Sequence, residues 1–359
     1  MTNRICENGS GRATLLGTLL PSIAAAVACV AATPATNFGV SLLVDQSGLK
    51  EDIQESIAPE TTQEFRNEPI TPIPEPSGLD FDEVTLGRAL FHEPGLSRTG
   101  SIACATCHSI EDGGDDGLAC SEGVDGRQGL MNSPTVLNAA LNFRQFWDGR
   151  VGSLEEQIPG PIHHPNEMGA DWNHILAFLK ATPGYRDWFD GVYEHGITVE
   201  NVIDAIAEYE KSLLTPDSPF DQWLKGDDDA LTDLQKKGYE LFKENHCIGC
   251  HQGVNVGGNL YEPLGVMVDY FQVGDEDAKH LGRFNVTGDE RDRHVFKVPG
   301  LRNVADTAPY FHDGSATNLE DAVQAMFDHQ LGMPADSSTI KAICAFLESL
   351  SAPAYESRK

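Results

Sequence analysis

A mainly α-helical protein in two halves is what the sequence predicts, on three observations. Apolar residues recur at helical spacing in several stretches, and no run alternates convincingly as a strand would. One short frame also occurs twice, as Cys104-Ala105-Thr106-Cys107-His108 and as Cys247-Ile248-Gly249-Cys250-His251. Two cysteines three apart, followed at once by histidine, are the covalent attachment signature of c-type haem. The spacing puts both sulfurs on one side of a helical turn, where the adjacent imidazole reaches the iron. The chain is therefore expected to hold two covalent haem c groups, with His108 and His251 as proximal ligands. Two Cys-x-x-Cys pairs can also build a four-thiolate zinc site, but that reading leaves the histidine after each pair unexplained.

The elements follow in order. Asp80 or Asp82 caps a helix carrying Val84, Leu90 and Phe91 toward the first frame. Trp172, Ile175, Leu176 and Leu179 form one apolar stripe; Val199, Val202, Ile203, Ile206 and Tyr209 form another, opened by Thr198. Thr232 and Gln235 make a capping box ahead of the helix that leads into the second frame. Asn318 caps a helix with Leu319, Ala322, Val323 and Met326 on one face, and Ile340, Ile343, Cys344 and Leu347 line the last helix.

A length of 359 residues suits two domains of ordinary size. With Lys+Arg 25 against Asp+Glu 55 the formal charge is -30. That excludes nucleic acid and an anionic membrane surface as partners and favours a basic soluble visitor. Residues 1–35 read as a signal peptide or N-terminal anchor, with Arg4 and Arg12 ahead of an apolar run from Ala13 to Ala32. Ala28-Cys29 leaves lipidation as a further reading. Residues 36–78 form a linker, proline-rich and extended from Pro69 to Pro76. Residues 79–217 and 218–352 form the two cytochrome c-like domains, with a seam near Ser218-Pro219 and the acidic stretch Gly226 to Asp229. Beyond the haem frames remain Cys6, Cys29, Cys120 and Cys344. Cys120 and Cys344 are candidates to pair, although Cys344 suits an apolar helix face equally well.

From Leu79 to Leu350 the chain resembles the bacterial dihaem cytochrome c peroxidases. The resemblance is carried by Leu86-Gly-Arg-Ala-Leu-Phe91, the frame at Cys104, Asn132-Ser-Pro-Thr-Val-Leu-Asn138, Phe146-Trp-Asp-Gly-Arg150, Glu167-Met168, Asp217-Ser-Pro-Phe-Asp221, Phe296-Lys-Val-Pro299, Leu301-Arg-Asn-Val304 and Thr307-Ala-Pro-Tyr-Phe-His-Asp-Gly314. It implies periplasmic reduction of hydrogen peroxide with electrons from a small c-type cytochrome or a cupredoxin, and leaves room for a homodimer. It also implies that Met326 is the sixth ligand of the second haem; on periodicity alone Met326 reads as core. His with Met raises the reduction potential. Related enzymes that mature methylamine dehydrogenase carry Tyr there, so Met326 discriminates against that activity.

For the first haem, the resemblance implies Glu167 as acid/base, Gln157 as its distal hydrogen-bonding partner and Trp147 as the aromatic between the haems. A positioned carboxylate in a partly dry pocket can move a proton between peroxide oxygens. Most family members also place a histidine in the loop after the first frame, where it caps the oxidised iron. The matching loop runs from Ser121 to Gly129 with Val124 at that position, and Ser109 to Met131 contains no His or Lys. The first haem is therefore expected to be open even when oxidised. The family's calcium ion maps onto the Asn132 side chain and the Thr307 and Pro309 carbonyls, an oxygen set of the kind calcium prefers. The acidic run Glu111 to Asp116 reads as a solvated turn, and His163, His164 and His312 are poor candidates for further haem ligands. The rival functions are a dihaem electron carrier without peroxide turnover and a protein-modifying oxidase.

Overall fold

The computed structural model describes residues 65–355. The signal or anchor, most of the linker, Cys6 and Cys29 lie outside them. Among the described residues no helix is long and apolar enough to cross a membrane. The architecture is helical, with helices at Phe81–Phe91, Trp172–Ala181, Val199–Ser212, Asp233–Glu244, Leu319–Ala325 and Ser337–Glu348 as its longer or site-forming members. Strand structure, which the sequence did not show, is limited among the described residues to Tyr261–Pro263 paired antiparallel with Val295–Lys297. Three-residue strands are set by tertiary contacts and leave no alternating pattern to read.

The caps fall where the sequence put them. Asp80 accepts from Asp82 N and Glu83 N; Thr198 accepts from Asn201 N; Thr232 and Gln235 form a reciprocal capping box; Asn318 accepts from Asp321 N. Each satisfies amide donors that the first helical turn leaves without partners.

Among the described residues two main hydrophobic cores result, beside a small cluster of Tyr310, Ala316 and Ala322. One gathers Leu86, Leu90, Phe91, Ile175, Leu179, Val202, Ile206 and Tyr209; the other gathers Phe220, Tyr239, Phe242, Val323, Phe327, Ile343 and Phe346. They are built the same way. In the first, the Phe81–Phe91 helix crosses Val199–Ser212 so closely that a Cβ on Gly87 would lie 1.8 Å from the Ala205 carbonyl oxygen. In the second, Asp233–Glu244 crosses Ser337–Glu348, and a Cβ on Gly238 would lie 1.9 Å from the Ala342 oxygen. The connecting loops repeat too. Asn138 and Asn303 both adopt φ 60°, and Phe146 and Phe311 take φ 69° and 70°. Gln145 bridges Val151 as Tyr310 bridges Ala316. At one constant spacing, Pro134, Asn138, Phe146, Gly149 and Leu154 correspond to Pro299, Asn303, Phe311, Gly314 and Leu319. The chain is thus an internal duplication of one haem-binding unit. The halves are tied together by Thr215, whose amide donates to Asn138 Oδ1 at 2.9 Å and whose hydroxyl donates to Asn303 Oδ1 at 2.7 Å.

The proline stretch is extended yet firmly packed: Ile70 and Ile73 are buried. Arg302, fully buried, holds it by donating to the Thr71 carbonyl at 2.9 Å while pairing with the equally buried Asp221 at 2.8 Å. Two sequence expectations are corrected. Asp115 is not a solvated turn residue; it is buried, because the turn folds back through Ser109 N to Asp115 O, and burial pushes its carboxyl up to about 7. Cys344 is a free buried thiol on the last helix, so it does not pair with Cys120.

The glycine crossings give a test by sign alone. Gly→Ala in an ordinary helix stabilises by about 1 kcal/mol. Gly87→Ala and Gly238→Ala should each instead destabilise by about 1–3 kcal/mol through overpacking. Denaturant unfolding of each variant checks this, and a stabilised variant would contradict the close crossing.

Candidate functional site

The first frame opens on the short helix Cys104–Cys107, and the second on a 3-10 turn, Cys247–Gly249. In both, a backbone carbonyl fixes the imidazole that follows. His108 Nδ1 lies 3.2 Å from the Gly114 oxygen and His251 Nδ1 lies 3.3 Å from the Val256 oxygen. A carbonyl only accepts, so Nδ1 carries the proton and Nε2 keeps its lone pair for a metal. Burial lowers both histidines, His251 to about 4, so the neutral ligating form prevails at neutral pH.

The four frame cysteines are free thiols, with burial pushing Cys104 up to about 12 and Cys247 up to about 11. Cys104 packs against the first core and Cys247 against the second. Among the described residues, the close group of potential metal-binding side chains is His280, His312 and Asp313, with no cysteine in it. The four-thiolate zinc reading therefore fails. Separate thiol pairs, each beside an imidazole with a free Nε2, are the donor set that covalent haem requires.

Beside the second frame lies a cavity of about 280 Å³ lined by Cys247, Cys250, His251, Phe327, Leu347 and Met326. Met326 opens a π-helical turn, Met326–Leu331, that continues Leu319–Ala325. Such turns re-aim side chains and recur at functional sites. In the first half, the corresponding position is Pro161, within Pro159–His163. The second half thus has a thioether where the first has a ring without donor atoms.

Pro161 is bordered by the residues expected to act on peroxide. Gln157 ends the short helix Leu154–Gln157, half-buried. Glu167 follows Pro159–His163, and its neighbour Met168 donates its amide to the Pro161 carbonyl at 3.1 Å. Burial raises the Glu167 pKa, while His164 and Arg150 act in the opposite sense. The His164 contact, Nδ1 to Glu167 Oε1 at 3.3 Å, is not among the sequence expectations; the signal for it in the sequence is the position of His164 three residues before Glu167.

The loop from Ser121 to Gly129 is clamped onto the same segment. Val124 is fully buried and donates its amide to the Glu167 carbonyl at 2.9 Å. A Cβ on Gly123 would lie 2.1 Å from the Asn166 oxygen, so the contact requires glycine. Asn166 Nδ2 donates to the Gln128 carbonyl at 3.1 Å, and Arg98 pairs with Asp125.

The cavity extends to the junction of the halves, where Trp147 and His312, equivalent in the duplication, meet edge-on with ring centroids 6.4 Å apart. Trp147 Nε1 donates to the Asn132 carbonyl at 3.0 Å. His312 stacks on Phe296 at 4.5 Å, and its Nε2 lies 3.0 Å from His280 Nδ1. Asn132, Thr307 and Pro309 line the same cavity. Asn132 spends its Nδ2 on the Leu118 carbonyl at 2.9 Å. Its Oδ1 and the Thr307 and Pro309 carbonyls accept no hydrogen bond among the described residues.

Comparison with known proteins bears on this geometry. Residues 82–229 match the family model of di-haem cytochrome c peroxidase, and residues 235–351 match that of cytochrome c. The chain is 49% identical over 292 residues to cytochrome c peroxidase Ccp of Escherichia coli, covering 81% of this chain but only 63% of that protein. It is 43% identical over 285 residues to cytochrome c551 peroxidase of Nitrosomonas europaea, covering 79% of this chain and 84% of that one. Methylamine utilization protein MauG of Methylorubrum extorquens is 34% identical over 270 residues, with coverage of 74% and 73%. Among solved structures, a MauG-like protein associated with microbial copper homeostasis superposes with TM-score 0.69 at 26% identity, covering 78% of this chain and 93% of that one. With two cytochrome c-like halves, each carrying one haem attachment frame and one carbonyl-anchored histidine, the chain belongs to the bacterial dihaem cytochrome c peroxidase family.

Proposed function

We propose that the protein reduces hydrogen peroxide to water in the periplasm, taking electrons from a small c-type cytochrome or a blue-copper protein. One observation carries the reading: at equivalent positions of the two half-sites stand a thioether, Met326, and a ring without donor atoms, Pro161. Met326 lines the cavity of His251 and would offer a metal there a second ligand, whereas Pro161 would offer none in the first half. Cys104, Cys107 and His108 would hold one haem, which would supply peroxide reduction, and Cys247, Cys250, His251 and Met326 would hold the other, which would supply stored electrons at a raised potential.

The chain's own residues do the rest. Glu167 carries a proton from the inner to the outer peroxide oxygen; burial raises its pKa above the ordinary carboxylate value, which makes it a better proton acceptor. Gln157 orients the peroxide by hydrogen bonding. Trp147, fixed through Nε1 between the halves, carries electrons from the closed site to the open one. Asn132 Oδ1 and the Thr307 and Pro309 carbonyls would hold a calcium ion, which prefers oxygen ligands, and the three residues line one cavity. Met326 in place of tyrosine speaks against a protein-modifying oxidase.

Glu167→Gln should lower peroxide turnover about 10²–10⁴-fold with both reduction potentials unchanged. Full turnover in that variant would leave a dihaem electron carrier as the better reading. His164→Ala, which removes the group opposing Glu167 protonation, should move the acidic limb of kcat/KM to higher pH; an unmoved limb would remove His164 from the account.

The clamped Val124 loop supports a first haem that needs no reductive activation. Electron paramagnetic resonance of the fully oxidised protein should show one high-spin or water-ligated haem beside one low-spin haem. Two low-spin signals with nitrogen-type axial ligation would contradict this.

A further inference from the structure

Lys297 ends the strand Val295–Lys297 and is 7% exposed. Its backbone amide donates to the Trp147 carbonyl at 2.9 Å, and its opposite number across the strand pair is Tyr261. It lines the same cavity as Cys247, Cys250, His251 and Met326. Its ammonium has no hydrogen-bond acceptor and no ion pair among the described residues. The cavity's other permanent cation, Arg302, is committed to Asp221 and to the Thr71 and Val254 carbonyls. Asp115 and Glu262, carboxylates on the cavity wall, make no ion pair with Lys297.

Burying an ammonium without a counter-charge costs several kcal/mol, which is why buried lysines are almost always paired. Burial alone pushes Lys297 down to about 8. A cation that no carboxylate of its cavity wall reaches calls for one on the occupant, and a porphyrin tethered by its vinyl edge to Cys247 and Cys250 carries two carboxylates on its opposite side.

We propose that Lys297 is the carboxylate-binding residue of the second haem cavity, pairing with a propionate of the porphyrin attached at Cys247 and Cys250, and that this pairing holds the site's reduction potential up. The inference rests on the dihaem reading above. A fixed positive charge at the porphyrin edge opposes ferric iron more than ferrous, so it favours electron uptake at the site that receives electrons from the donor. Lys297 is thus a positioning and redox-tuning residue, and takes no part in proton transfer to peroxide.

The test uses the full haem-loaded chain as wild type, Lys297→Gln and Lys297→Arg, with haem content per chain and a redox titration resolving each haem. Lys297→Gln should lower the potential of the methionine-ligated haem, so that its reduced-to-oxidised ratio at fixed applied potential falls roughly three- to tenfold. Lys297→Arg should restore it. Loss of the second haem from Lys297→Gln but not from Lys297→Arg also supports the pairing. An unchanged potential in a fully loaded Lys297→Gln, or Lys297→Arg behaving like Lys297→Gln, overturns it. Fewer than two haems in the wild type would instead sink the dihaem reading itself.

Discussion

The rest of the molecule depends on one hydrogen bond made twice: an imidazole Nδ1 donating to a backbone carbonyl, His108 to Gly114 and His251 to Val256. The bond fixes the tautomer and leaves the Nε2 lone pair available to a metal. Everything around it serves to hold that carbonyl still. The turn after the first frame is closed by Ser109 and Asp115, and the turn after the second by Gln252 and Gly257. Behind each stands a helix pair locked at a glycine crossing, where the backbones approach too closely for any side chain.

Duplication then makes asymmetry meaningful. Because the two halves share helix pairs, left-handed asparagines and strained phenylalanines, a difference at equivalent positions is chemical and not architectural. Met326 against Pro161 gives one half a thioether donor where the other has none, which is the basis of the proposal that one half is closed and the other open. Trp147 against His312 places a large indole on one side of the junction and an imidazole on the other. The Val124 loop extends the same asymmetry, since it is pinned beside Glu167 by backbone contacts and an ion pair instead of being held by a metal.

Much of this was legible in the sequence because it is local. A haem frame occupies five consecutive residues, and a helix cap or an apolar stripe spans a turn or two; Asp80, Thr198, Thr232 and Asn318 all announced their helices. What stayed hidden is what only tertiary contact creates. Asp115 looked like part of a solvated acidic turn until the fold buried it, and Cys344 could be matched with Cys120 on paper because spacing carries no information on distance. Lys297 sat inside a motif without any sign of its solitary burial. The duplication leaves a trace in the sequence: Gly87-Arg-Ala-Leu-Phe91 and Gly238-Tyr-Glu-Leu-Phe242 precede the two frames, at different distances, and the glycine in each marks the crossing.

The central claim is that one duplicated scaffold presents one open and one closed iron site. Titrating the fully oxidised, haem-loaded protein with cyanide and following the Soret band tests it most directly. The account predicts saturation at one cyanide per two haems, without prior reduction. Saturation at two, or no binding until the second haem is reduced, would contradict it.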